Sequence, residues 1–272
     1  AVVGWSVHAF AGVPAALFFL LAGMAWANAG RAAGCERSQL RASWVVRRAL
    51  ALVAIGVPFW CWAWPNDVLV PLALALPPVA WLQRRGRGAL VGGALLLLVA
   101  VPWATAAFGH WATTDLRDDG THLANGTFGA ATLRYFLFDG AYPLLPWLAL
   151  PLLGALAALT GRFDASRWRR WLWLAVPASL TASVVDLWAT VEAEALGGLA
   201  AHLTATWQPT SLPFLLSNGG LALAIVAFLA WRSQRLGLPG WLSPVAAVGR
   251  ASLTHYLGHV LLVYAPLRLW WP

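Results

Sequence analysis

Read for alternation of apolar and polar positions, the chain resolves into long hydrophobic runs divided by short polar segments. The runs fall near 9–27, 49–64, 68–82, 90–108, 135–159, 171–191, 212–231 and 251–269. A bilayer-crossing helix needs roughly 20 predominantly apolar residues, and in lipid every backbone polar group must be met within the segment. The pattern therefore predicts an all-α, polytopic membrane helix bundle of about eight transmembrane helices, forming a single domain over 1–272 with an outer loop at about 109–134. The second and third runs are short and joined by "WPND", which predicts a tight hairpin. Proline and glycine inside the runs, as in "VPLALALPPVAW" and "YPLLPWLALPLLG", predict kinked, closely packed helices that can enclose a cavity.

Charge sorts the loops between these runs. Fifteen of the eighteen arginines lie in alternate loops, at 31, 37, 41, 47 and 48, then 84, 85 and 87, then 162, 167, 169 and 170, then 232, 235 and 250. The excess of basic residues marks the cytoplasmic side. Asp67, Asp115, Asp118, Asp119, Glu192 and Glu194 fall on the other side. Ala1 is then outside, and because the chain opens without Met the expectation is a further helix ahead of it.

Composition agrees and closes other routes. The 272 residues are 60% hydrophobic and 10% charged, with 19 Trp and a mean hydropathy of +0.68. A soluble domain of this size needs far more charged surface. The net charge of +8 would suggest nucleic acid in a soluble protein, but here topology accounts for the arginines and no nucleic-acid partner is expected. All basic residues are Arg, a bias of GC-rich bacterial genomes, so the expected location is the bacterial cytoplasmic (inner) membrane, crossed several times. Cys35 and Cys61 lie in unlike environments and form no disulfide or metal spacing.

Ionisable groups inside spans carry the functional signal, since each costs at least ~2.5 kcal/mol at a helix centre unless paired or hydrated. The candidates are Asp139, Asp186, Asn218, His255 and His259, with His8, Arg134 and Arg268 near the outer ends. By the topology, His8, Asp139, Asp186 and Asn218 lie in the outer part of the membrane, where one outward-opening cavity could gather them. His8 reads as an interfacial imidazole or as a general base or transient nucleophile. Asp139 and Asp186 read as partners of Arg134 or helix caps, or as carboxylates that orient an imidazole. His255 and His259 share one helix face, where packing is the expectation and a metal is not, since no third ligand stands nearby. The histidines at 110, 122 and 202 read as solvated loop residues.

Several stretches together resemble the heparan-alpha-glucosaminide N-acetyltransferase-like and YeiB-like membrane acyltransferases. They are "WSVHAFAGVPAALFFLLAG" (5–23), "AYPLLPWLALPLLGALAAL" (141–159), "PTSLPFLLSNGGLAL" (209–223) and "LSPVAAVGRASLTHYLGHVLLVY" (242–264). The resemblance implies transfer of an acetyl or other acyl group from cytosolic acyl-CoA, with acetyl-CoA as donor, to a sugar or glycan acceptor on the outer face. It places His8 as the acyl-transfer base or acceptor, held by Asp139 or Asp186. Arg134, Tyr142, Trp147, Asn218 and His259 become acceptor-site candidates. Arg84, Arg85, Arg87, Arg167, Arg169 and Arg170 become candidates for the phosphates of CoA, against the plainer reading that they only set topology. A transporter or flippase with buried acids along its path, and a non-catalytic subunit of a membrane complex, are the competing readings; self-association or a membrane partner fits any of them.

Overall fold

A computed structural model describes residues 12–32, 42–59, 67–108, 137–138, 142–161, 164–206, 210–237, 239–264 and 266. Among these residues every regular element is helical, in the predicted order. We label them α1 (Val13–Ala32), α2 (Ala42–Pro58), α3 (Leu69–Arg85), α4 (Arg87–Phe108), α5 (Leu144–Gly161), α6 (Ala165–Val191), α7 (Leu212–Leu236), α8 (Ser243–Arg250) and α9 (Ser252–His259). Three of them, α5, α6 and α7, are long and apolar enough to cross a membrane; Val13–Ala29, Arg87–Val101 and Leu253–Val263 are shorter apolar helices.

The helices begin and end where local chemistry dictates. Asp164 caps α6, its Oδ1 accepting from the Ser166 amide at 2.8 Å and the Ser166 hydroxyl at 2.6 Å. These bonds favour the carboxylate and hold Asp164 below its usual pKa. Ser211 caps α7, its Oγ accepting from the Phe214 amide at 3.3 Å, and Pro213 fits the first turn, where no partner for its missing N–H is needed. α3 and α4 are joined by Gly86 alone, whose φ of 100° is open to glycine without strain.

Two expected boundaries shift. The fifth run, expected from 135, becomes α-helical at Leu144, after Pro143, and Leu148 keeps helical dihedrals and its amide bond to the Leu144 carbonyl at 2.8 Å. The last run starts earlier than 251: α8 begins at Ser243, the helix breaks at Ala251, and it ends in a π-helical turn over Val260–Tyr264.

The centre is the crossing of α1 and α5, which run in the same direction: Gly12 and Trp147, at their starts, both meet Phe214, and Met24 and Gly161, toward their far ends, both pack near Trp168. A Cβ on Gly23 would strike the Pro151 carbonyl, and one on Gly154 would strike the Leu20 carbonyl, so the two backbones lie in contact. Small residues permit this approach, and in lipid close packing is what holds helices together. Around the crossing, Phe19, Leu20, Leu76, Val79, Leu90, Trp147 and Leu152 are fully buried. α6 and α7 form an antiparallel pair through small residues: the Ser179 hydroxyl donates to the Ser217 carbonyl at 2.8 Å, and Gly220 lies against Ala175 and Ser179. The rest of α6 is bare, with Trp173, Leu174, Leu180, Val184, Leu187 and Val191 exposed along its length. An apolar face that long suits lipid and not water.

Candidate functional site

Two polar constellations stand out, one at the arginine-rich end of the bundle and one inside it. The first grows from the C-terminus of α5, where unpaired carbonyls and the helix dipole attract cations. Arg87 Nη2 donates to the Leu159 carbonyl at 3.4 Å, and Arg167 Nη1 donates to the Thr160 carbonyl at 3.0 Å. Arg167 also pairs with Asp164 at 3.1 Å. Trp171 donates its indole N–H to the Thr160 hydroxyl at 3.0 Å, fixing the ring beside them. Together Arg87, Thr160, Arg167, Arg170, Trp171 and Leu174 line an open pocket of about 350 Å³. Each guanidinium has five donors, so most of the N–H groups of Arg87 and Arg167 stay available, and Arg170 has no partner among the described residues. The chemistry is that of a wet anion site with one apolar wall.

Of the six arginines selected from the sequence for a phosphate-bearing donor, the structure thus brings three, Arg87, Arg167 and Arg170, to one pocket. Arg84, Arg85 and Arg169 are exposed and do not line it, and Arg85 lies over the Trp81 ring at 4.5 Å.

The second constellation was not selected from the sequence. Asp67, placed among the outer-face acids by charge pattern, is buried, with 4% of its surface exposed. Its Oδ2 accepts from the Leu69 and Val70 amides at 3.0 and 3.3 Å, at the start of α3. Its Oδ1 accepts from the Tyr256 hydroxyl of α9 at 2.6 Å, a bond between residues 189 apart in the chain. Gly56 of α2 leaves room for the carboxylate, since a Cβ there would lie 2.9 Å from Oδ2. The Tyr256 ring stacks on Phe18 with centroids 5.9 Å apart and meets His259 edge-on at 5.5 Å. Four helices therefore converge on one carboxylate-phenol pair. An acid immediately ahead of an apolar run, in "WPND", was the available signal for a buried cap; its distant partner left none.

The acceptor-site candidates divide. Tyr142 and Trp147 belong to an aromatic group with Phe19 and Phe214, at centroid distances of 5.1 to 6.2 Å. Trp147 is 0% exposed and donates to the Thr210 hydroxyl at 3.2 Å, so it is a packing residue. Asn218 is buried beside Gly12; its amide donates to the Phe214 carbonyl at 3.2 Å, while Oδ1 has no partner among the described residues. Asp186 accepts from the Ala205 amide at 2.6 Å and ties the segment after the short helix Ala200–Leu203 back to α6; no contact joins it to Asn218. His259 is exposed and meets the Tyr256 ring edge-on. His202, expected to be a solvated loop residue, stacks on Trp103 at 4.5 Å. His8, Arg134, Asp139 and the 109–134 loop lie outside the described residues. Among the described residues no group of His, Cys, Asp and Glu could hold a metal.

Comparison with known proteins gives one likeness. No curated protein and no solved structure matches the chain. Residues 153–270, less than half of the chain but including both α7 and the Tyr256 helix, are similar to the family described as "Protein of unknown function (DUF418)", a family of membrane proteins related to YeiB.

Proposed function

We propose that this chain is a membrane-embedded acyltransferase that takes an acyl group from cytosolic acyl-CoA and delivers it to a sugar or glycan acceptor on the outer face. The observation that carries this reading is the pocket of Arg87, Arg167 and Arg170 beside Trp171. CoA presents several phosphates next to an aromatic base. Guanidinium groups bind phosphate in a planar, two-pronged fashion, and an indole offers a face for stacking. The charge pattern puts this pocket in the cytoplasm, where acyl-CoA is found. His8 is the proposed base or transient acyl carrier: it takes the acceptor's proton as the acceptor attacks the thioester, and the CoA thiolate leaves. Asp139 or Asp186 is the carboxylate we assign to hold His8; Oδ1 of Asp186 accepts from the Ala205 amide, which leaves its Oδ2 for an imidazole.

The test is transfer from radiolabelled acetyl-CoA in proteoliposomes with sugar acceptors inside or outside. Arg167→Ala and Arg170→Ala are expected to raise the KM for acetyl-CoA about tenfold each, the size of one lost charged hydrogen bond, with kcat little changed. His8→Ala is expected to abolish transfer. Equal KM values in all variants would remove the pocket from the reaction, and no label under any condition would end the acyltransfer reading.

A further inference from the structure

Buried indole N–H groups ordinarily find an acceptor. Trp147 and Trp171 do so here, on Thr210 and Thr160. Trp168 and Trp231 do not: their Nε1 atoms are buried with no hydrogen-bond partner among the described residues, and so is Nη1 of Arg232. Trp168 is only 3% exposed, its ring pressed against Gly161.

These three donors belong to one place. Trp168 and Trp231 share an apolar cluster with Leu20 and Met24 of α1. α6 and α7 run antiparallel, with Ser179 bonded to Ser217 and Gly220 against Ala175. Carried along by equal steps, that register sets Trp231 and Arg232 within about one turn, roughly 5 Å, of the level of Trp168. The place is the arginine-rich end of the cluster that α1, α6 and α7 share. None of the three residues lines the pocket of Arg87 and Arg170.

Three unmet donors, one of them on a permanent cation, with no carboxylate opposite them among the described residues, call for an anion rich in acceptor oxygens. A tetrahedral phosphate can accept from donors that do not share a plane, and tryptophan with arginine at a span end is the usual company of a headgroup. We propose that this end of the bundle is a phosphate-binding site, separate from the acyl-CoA pocket, that takes a phosphate ester on the unmet donors of Trp168, Trp231 and Arg232. The same chemistry is offered by a phospholipid headgroup of the inner leaflet and by soluble phosphate.

The experiment uses the full chain purified in an uncharged detergent free of phospholipid. Binding is followed by native mass spectrometry and by the shift in Tm on adding phosphatidylglycerol, diacylglycerol with the same acyl chains, or inorganic phosphate. Phosphatidylglycerol, and not diacylglycerol, is expected to be retained and to raise Tm. Arg232→Leu is expected to weaken that retention at least tenfold. Trp168→Phe and Trp231→Phe, which keep an aromatic ring while removing the donor, are expected to weaken it several-fold, and Arg235→Leu, an exposed neighbour, to leave it unchanged. Stabilisation by inorganic phosphate with the same sensitivity to Arg232 would assign the site to a soluble phosphate. Equal binding of phosphatidylglycerol and diacylglycerol, or equal retention by wild type, Arg232→Leu and Trp168→Phe, would overturn the proposal. No outcome depends on acyl transfer.

Discussion

The Asp67–Tyr256 pair shows how a single side chain can be invisible in sequence and central in space. Arginines announce themselves by clustering in loops, so Arg87, Arg167 and Arg170 were readable as a group. Asp67 looked like one more acid on the far side, because nothing in a linear pattern says that a residue 189 positions later will cover it. The pair is fully bonded: the carboxylate accepts from two amides and a phenol, and the phenol in turn accepts from the Val68 amide at 3.5 Å. Such a network is costly to break on one side, since the remaining partner stays buried and unmet. Tyr256→Phe and Asp67→Asn should each destabilise the protein in unfolding measurements in mixed micelles. Their double-mutant cycle should show a coupling of about 1–2 kcal/mol. Strict additivity would mean that the 2.6 Å bond contributes nothing beyond its parts.

Helix order was legible because lipid permits few alternatives: a spanning segment must be helical, and its length is set by the bilayer. Which faces meet was not legible. Glycine inside the runs read as a sign of close packing without naming the partners; Gly23 and Gly154 are the contact points between two backbones. Gly23→Ala and Gly154→Ala should therefore each cost about 1–3 kcal/mol, as overpacking does. Gly92→Ala in α4 has nothing within 4 Å of the new methyl and should be neutral or stabilising by up to about 1 kcal/mol, a contrast measurable by thermal unfolding in one detergent. The α6 cap gives a pH signature. Asp164 has its pKa lowered on folding, so its contribution is complete above the unfolded value of 3.8 and disappears as pH falls through the lower folded value. Asp164→Asn should thus lose stability at neutral pH and differ less from wild type in acid; a difference that grows on acidification would contradict this account.

The arrangement of the chain as a layered bundle follows from where charge and apolar surface lie. Arginines collect at the end of the bundle where α5 stops and α6 starts, and the bare face of α6 points away from the core. With Cys35→Ser and Cys61→Ser as background, a cysteine at Arg235→Cys should react with an impermeant maleimide only in inside-out vesicles, and one at Glu194→Cys only in right-side-out cells; the reverse would invert the topology. Of the four residues expected to gather at one cavity, His8 and Asp139 lie outside the described residues, while Asp186 bonds the Ala205 amide and Asn218 is buried beside Gly12. The closest helix contact also has a consequence in time. Leu20 leaves the ribosome long before Gly154, and at roughly 5–20 residues per second the first helix waits on the order of ten seconds for the partner it touches. Throughout that interval its glycine-bearing surface is a vacancy that any passing helix could fill, so the birth of this protein depends on an escort, or on the membrane itself, to keep that surface unclaimed.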